Sequence, residues 1–463
     1  MTATLDQLPE PPQRAERSSL LRLRPGWPLT ALLVLYPLWW ALGMATLIVF
    51  VLPVPMLVHL ARQRPIKVPP GFGLWLLFLV WVLASTTMLQ YSPPGTVRGN
   101  ASDRIISVGY NIGGYLAATI ILLYIGNLTE RQLPRARIVR QLGTLFIVIV
   151  VGGVIGTFFA SFEFTSPLEM LLPNSIAQNS FVQSLVHPSA AQLQEVLGYT
   201  APRPSAPFGY TNTWGNCLSL LSGWFAISWL VAGGKGRRLI GVLIVLVAAV
   251  PVVYSLNRGL WIALGLSAGY AAVRLALKGR FVAIAVMAFG VVAGIVVFLA
   301  SPLNGIVEAR LDNPKSNNIR EFTTEATLEA AASSPILGFG STRAAIGSSQ
   351  SIAVGKSADC QRCGNPTIGS NGQLWLLLIA QGFVGAGLYI AFFVWSAWAY
   401  RRDRTSIGAA GWLACVLPLF YMFIYNALVM PLLISLVSIA LLWRNDQARR
   451  DAEAVPASTA GVR

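Results

Sequence analysis

The chain has 463 residues, of which 55% are hydrophobic and only 11% charged, and its mean hydropathy is +0.61. A soluble domain carries about twice that charged fraction, so composition excludes an ordinary water-soluble globular protein and indicates a polytopic membrane protein. The formal net charge of +16 invites a nucleic-acid partner, but the placement of the charge along the chain points elsewhere.

Residues 1–28 are polar, Pro-rich and basic, with Arg14, Arg17, Arg22 and Arg24, and read as a disordered tail. They do not resemble a cleaved leader, because no small-residue cleavage site ends the first apolar run and a second run follows at once. Hydropathy then predicts twelve helices, at 29–43, 45–60, 72–89, 105–125, 141–161, 208–232, 239–255, 260–277, 281–300, 373–399, 408–424 and 427–443. The first two are short enough to form a tight hairpin, and no strand pattern competes. The fold class expected is therefore all-α integral membrane, with residues 29–443 as one domain and 444–463 as a second tail.

With the N-terminus inside, 24 of the 34 Lys and Arg fall on inner segments, namely 1–28, 61–70, 126–140, 233–238, 274–280, 401–404 and the residues after 443. The outer segments carry as many acidic as basic residues. This is the positive-inside distribution, and it puts both termini in the cytoplasm. The basicity sets topology and meets anionic headgroups, so no nucleic-acid partner is expected.

Two outer connections are long, 162–207 and 301–372, and loops of that length in a compact protein usually carry function. The first ends in APRPSAPFGYTNTWGNCLSLL (201–221), where Pro-rich turns lead into a helix and Tyr210, Thr211, Asn212, Thr213 and Asn216 cluster. Such side chains serve either as caps and interfacial contacts or as ligands for sugar hydroxyls. Next, SLNRGLWIA (255–263) sets Arg258 between two apolar runs, on the outer side, where topology asks for no arginine. A charge near hydrocarbon costs a few kcal/mol unless it reaches water, a partner or a ligand. Arg258 is then either a snorkelling helix-end residue or a residue that holds something.

In the larger loop, Asn318 and Glu321 have capping-box spacing and REFTTEATLEAAASS (320–334) follows as a predicted helix, closed by Pro335 and Gly338. Arg320 then falls in the first turn, where it opposes the helix dipole but strengthens a site for anions. The alternative is a solvated surface arginine. DCQRCGN pairs Cys360 with Cys363 at a spacing that, outside the cytoplasm, suits a disulfide staple. A zinc site would need two further ligands. Cys217 and Cys415 lie in predicted helices and read as core residues.

The outer segments show no acidic cluster or His pair, so no metal is expected. The two histidines are His59 and His187. No nucleotide-binding glycine loop occurs, and no cofactor is expected. The predicted helix interiors lack Asp, Glu, Lys and Arg, which argues against an ion-coupled transporter.

Three segments now stand in a definite order: PFGYTNTWGNCLSLL (207–221) before a helix, VVYSLNRGLWIAL (252–264) between two helices, and a large loop. That loop contains NNIREFTTEATLEAAASSPILGFGSTR (317–343) and ends in GSNGQLWLLLIAQGFVGAGLYIAFF (369–393). The order resembles the O-antigen ligase and O-antigen polymerase superfamily of bacterial membrane glycosyltransferases, over about residues 200–395. The resemblance implies a GT-C-like fold of about twelve spanning helices with one large extracytoplasmic loop, in the bacterial plasma membrane. It implies a glycan donor on a polyprenyl diphosphate and a glycan or lipid acceptor, with membrane lipids around the site. Arg258 and Arg320 match the arginines that the family assigns to the donor diphosphate, and Arg203 and Arg343 are further candidates for the same pocket.

The chain departs from the family where a His-Asn pair is expected, since here the pair is Ser370-Asn371. Serine does not take up a proton at neutral pH, so the base would have to come from Glu321, Glu325, Asp359, Glu163, Asp103 or His187. Asn371 stays in register as a sugar or acceptor ligand, beside Tyr210 and Asn212. The activity implied is a metal-independent polysaccharide polymerase. The alternatives are a ligase that moves a finished glycan to a lipid or protein, a flippase, and a non-catalytic scaffold.

Overall fold

The computed structural model describes residues 24–177, 180–195, 200–299, 305, 307, 315–346 and 366–454. The described chain is mostly helical. The first predicted hairpin is broken into four short pieces, α1 (Trp27–Val34), α2 (Tyr36–Ala41), α3 (Ile48–Val51) and α4 (Pro53–Ala61). Pro37 and Pro53 stand in the first turns of α2 and α4, and Gly43 turns the chain at a φ of 76°. Proline starts a helix readily and disfavours its continuation, so closely spaced prolines in a short apolar run divide it here.

α5 (Phe72–Ser85), α6 (Ile105–Asn127) and α7 (Arg135–Phe158) follow, and then the short α8 (Pro167–Leu171), α9 (Asn174–Ala177) and α10 (Ser180–Val186) of the first long loop. Next come α11 (Thr211–Phe225), continued by a π turn at Ala226–Val231, α12 (Lys235–Tyr254), α13 (Arg258–Ala276) and α14 (Phe281–Leu299). α15 (Lys315–Ser333) belongs to the second long loop, and α16 (Gln373–Ala399), α17 (Ser406–Tyr421) and α18 (Met430–Ala454) complete the chain. Six of these helices are long and apolar enough to cross a membrane: α6, α7, α11 with its π turn, α12, α13 and α16. Shorter apolar helices occur at Ile48–Ala61, Phe72–Met88, Phe281–Gly294 and Ser406–Tyr421.

The apolar half of α18 is the centre of the bundle, with Leu433, Ile434, Leu436, Val437, Ile439, Ala440, Leu441 and Leu442 all fully buried. It packs against α6, α11 and α17, while α7 packs on α11 and α12 and α5 packs on α16. A helix that is apolar all round belongs inside, and the sequence of α18 from Leu432 to Leu442 has that character. On α12, by contrast, Leu239, Ile240, Leu243 and Leu246 are exposed, as are Phe281, Val282, Val286 and Phe289 on α14. Apolar outer faces of this kind are those of a protein surrounded by lipid.

α18 continues through Ala454, where the sequence suggests a tail from residue 444. Its polar half is tied down at one end of the bundle. Arg444 Nη2 donates to Glu130 Oε1 at 2.9 Å, Arg135 Nη1 donates to Asn445 Oδ1 at 2.6 Å, and Asn445 Nδ2 donates to Asp403 Oδ2 at 2.6 Å. Arg274 reaches the Asp403 carbonyl at 3.4 Å. Four of the basic segments, 126–140, 274–280, 401–404 and the residues after 443, therefore meet at this end.

Strands also occur, against the sequence expectation; among the described residues they form two short antiparallel ribbons in the long loops. β1 (Ala191–Glu195) pairs with β2 (Thr200–Pro204), and β3 (Arg343–Ala344) pairs with β4 (Thr367–Ile368). Each strand of a two-stranded ribbon is an edge, which is why Pro202 and Pro204 are tolerated in β2. A second difference concerns α15. It includes Lys315, so Asn318 lies within the helix and is not its cap, and Arg320 stands beyond the first turn. The dipole argument for anion binding at Arg320 therefore lapses.

Candidate functional site

The turn between α12 and α13 is sharply made. Leu256 takes a φ of 51°, a left-handed conformation unusual for a non-glycine residue. Asn257 then caps α13, its Oδ1 accepting from Leu260 N at 2.9 Å. Arg258 is the first residue of a 19-residue helix. The anion-favouring helix end expected at Arg320 is thus found at Arg258.

Arg203 braces this turn from behind. It is 5% exposed, its Nε donates to the Ser255 carbonyl at 2.6 Å, and its Nη1 bonds Gln194 Oε1 across the β1–β2 ribbon. Thr211 fixes the start of α11 to the same ribbon, donating its hydroxyl to the Arg203 carbonyl at 3.3 Å and its N–H to Gln192 Oε1 at 3.2 Å. Tyr210 is exposed and Asn212 half-buried at this helix start.

Arg320 comes to the same place from α15. Its Nη1 donates to the Ile424 carbonyl at 3.2 Å, and its guanidinium carbon lies 5.8 Å from the centre of the Tyr425 ring. Burial holds its pKa below the ordinary arginine value; the charge of Arg258 acts in the same direction and Tyr425 in the opposite one. The structure thus brings Arg258 and Arg320 within electrostatic reach of each other. Among the described residues Arg320 forms no ion pair.

Asn371 anchors α15, its Nδ2 donating to Thr323 Oγ1 and, at 3.4 Å, to the Arg320 carbonyl. After it, Gly372 permits a close approach: a Cβ there would stand 2.5 Å from the Met422 carbonyl oxygen and 2.9 Å from Ile424 N. Gln373 is 1% exposed and uses its whole side chain, donating to the Tyr115 hydroxyl at 2.9 Å and accepting from Ala427 N at 3.0 Å. Its N–H donates to the Tyr425 carbonyl at 3.0 Å, and Trp375 Nε1 donates to the Phe423 carbonyl at 2.9 Å.

The hub of the site is therefore the connection 422–427 between α17 and α18, which the sequence reading passed over. Tyr425 donates its hydroxyl to Asn257 Oδ1, and its ring lies against Gly259. The available signal was a tyrosine and an asparagine, Tyr425 and Asn426, interrupting two apolar helices.

Other predicted residues lie elsewhere. Arg343 is 3% exposed and bonded to the carbonyls of Leu89, Tyr91, Phe339, Ser341 and Thr342. Burial, and then neighbouring Arg104, lower its pKa to about 10. Ser370 is exposed and its hydroxyl donates to the Thr367 carbonyl at 2.6 Å, closing the turn after β4. Glu321 and Glu325 are on the exposed face of α15, opposite buried Thr323 and Thr327. His187 Nδ1 lies 2.8 Å from Glu169 Oε2 in the first long loop, where the backbones of Glu163 and Ser189 pair in an isolated antiparallel bridge. Asp359, Cys360 and Cys363 lie outside the described residues, as does the side chain of Asp103. Cys217 and Cys415 are free and buried. Among the described residues no three His, Cys, Asp or Glu side chains form a metal-binding group.

Two guanidiniums brought near one another, one of them at a helix N-terminus, are chemically suited to a compact multivalent anion. Each fork can bind two oxygens of a phosphate. Comparison of the chain with protein-family models, with curated proteins and with solved structures finds no match.

Proposed function

We propose that the chain is a lipid-dependent membrane glycosyltransferase that polymerises glycan units carried on a polyprenyl diphosphate. The observation that supports this most is the meeting of Arg258 and Arg320, from different helices, at one end of an apolar bundle. A polyprenyl diphosphate presents its charge where hydrocarbon meets water, and the order of motifs resembles the O-antigen ligase and polymerase superfamily. In this reading the chain spans the bacterial plasma membrane about twelve times in a GT-C-like fold, with its termini and basic loops in the cytoplasm and the arginines on the outer side.

The acceptor sugar hydroxyl would attack the anomeric carbon of the donor. The new C–O bond forms as the bond to the diphosphate breaks, the acceptor oxygen passes its proton to water at the outer surface, and the polyprenyl diphosphate leaves with the electron pair. Arg258 and Arg320 neutralise the charge that gathers on the leaving diphosphate. The Tyr210–Asn212 helix start and Asn371 are the sugar-side candidates. Ser370, whose hydroxyl already serves the Thr367 carbonyl, favours a polymerase over a ligase that uses histidine at this position.

The test is the size profile of lipid-linked glycans in cells with the protein, without it, and with Arg258→Ala. Single repeat units left on the carrier in the deletion and in Arg258→Ala support the polymerase. Long chains that stay on the carrier indicate the ligase. An unchanged profile removes both and leaves a flippase or scaffold.

A further inference from the structure

Tyr425 touches both halves of the arginine pair. Its hydroxyl bonds Asn257 and its ring edge packs on Gly259, the two residues that flank Arg258. A Cβ on Gly259 would stand 2.8 Å from Tyr425 Cε2 and 2.9 Å from the hydroxyl oxygen. The same ring has the Arg320 guanidinium carbon 5.8 Å from its centre, and the preceding carbonyl, of Ile424, accepts from Arg320. Behind the ring the backbone is fixed by Gln373, through the Tyr425 carbonyl on one side and Ala427 N on the other. Tyrosine turns about few bonds, so a ring held at both ends makes a stiff spacer.

We infer that Tyr425 is a positioning residue that sets the separation of the Arg258 and Arg320 guanidiniums, and that this separation selects a lipid diphosphate over a lipid monophosphate. The inference rests on the diphosphate reading of the site. Two linked phosphates offer each guanidinium its own set of oxygens. A single phosphate offers its oxygens to one fork and reaches the second only in part. If the spacer is lost, the two forks no longer match two adjacent phosphates, and the preference for the diphosphate shrinks.

The experiment titrates the purified full chain, in lipid nanodiscs, with farnesyl diphosphate, farnesyl monophosphate and farnesol. The wild-type chain is expected to prefer the diphosphate over the monophosphate by about tenfold or more, the value of one additional charge-assisted contact. Tyr425→Phe keeps the ring beside Arg320 and the volume on Gly259 but cuts the tie to Asn257. It should lower that ratio by about fivefold, the value of one hydrogen bond, with the melting temperature held. Tyr425→Ala should bring the ratio close to one. A wild-type ratio retained in both variants overturns the role of Tyr425, while loss of diphosphate binding in Arg258→Ala and Arg320→Ala would still uphold the diphosphate site. Equal binding of all three farnesyl lipids by the wild-type chain overturns the diphosphate reading and this inference with it.

Discussion

The ring of Tyr425 rests on the bare α-carbon of Gly259, one residue after Arg258, at a distance that leaves no space for a methyl group. In an open helix, Gly→Ala gains about 1 kcal/mol of propensity. Here the added carbon meets an aromatic ring whose hydroxyl is bonded to Asn257, and overpacking costs about 1–3 kcal/mol. Gly259→Ala is therefore expected to be destabilising by about 1 kcal/mol on balance. A thermal melt of the purified protein checks this. A higher melting temperature would show that the ring moves freely.

Arg258 and Arg320 are expected to fail differently from ordinary surface arginines. Removal of one preorganised charge at a leaving group typically costs about a hundred- to a thousandfold in rate. On the proposed polymerase reading, Arg258→Ala and Arg320→Ala should each lower glycan polymerisation in isolated membranes by that order. Arg258→Lys keeps the charge and loses the fork, so a smaller deficit, about tenfold, is expected. Full turnover in either alanine variant would remove the arginines from the chemistry.

Much of the bundle could be read directly from the sequence, because hydrocarbon demands long apolar runs and those runs are visible residue by residue. α6, α12, α13 and α16 lie within a few residues of their expected places. What could not be read depends on contacts between distant segments. β2 contains two prolines and pairs only with β1, so no local pattern marks it as a strand. The spacing of Asn318 and Glu321 imitates a helix start, but α15 is already formed there. Arg258 was legible as a charge out of place, and Arg320 through the order of the motifs. The Tyr425 spacer was not, since its meaning lies in Asn257 and Gly259, far away in sequence and adjacent in space.

Arg343 donates to backbone carbonyls and Arg203 to the Ser255 carbonyl and the Gln194 side chain, and the loss of either buried arginine should appear first in stability. Arg203→Ala strips the Ser255 carbonyl of its donor, and a buried acceptor left unpaired costs about 1–3 kcal/mol. Arg343→Ala removes a donor from five carbonyls, of which Leu89 keeps Arg104, and should cost about 3 kcal/mol or more. Both should lower the melting temperature. Affinity for farnesyl diphosphate should fall in Arg203→Ala, which loosens the turn that carries Arg258, and remain in Arg343→Ala. Equal affinity losses in the two variants would place Arg343 at the site after all.

Ser370 and Asn371 are neighbours with opposite expected weights. The Ser370 hydroxyl is exposed and spends its proton on the Thr367 carbonyl, so Ser370→Ala should change stability by about 0.5 kcal/mol or less and leave turnover as it is. Asn371 ties α15 to the start of α16 through Thr323 and the Arg320 carbonyl. With that tie gone, α15 is free to shift, and Arg320 shifts with it. A displacement of about 1 Å at a catalytic charge costs on the order of a hundredfold in rate. Asn371→Ala is thus expected to lower turnover about tenfold to a hundredfold, and Asn371→Asp about as much, since a carboxylate there faces the Arg320 carbonyl and a Thr323 hydroxyl that already donates to Ile319. Parallel rate measurements on the three variants check the order. If Ser370→Ala proved the most damaging, the serine hydroxyl would have a part in the reaction that its bond to Thr367 conceals.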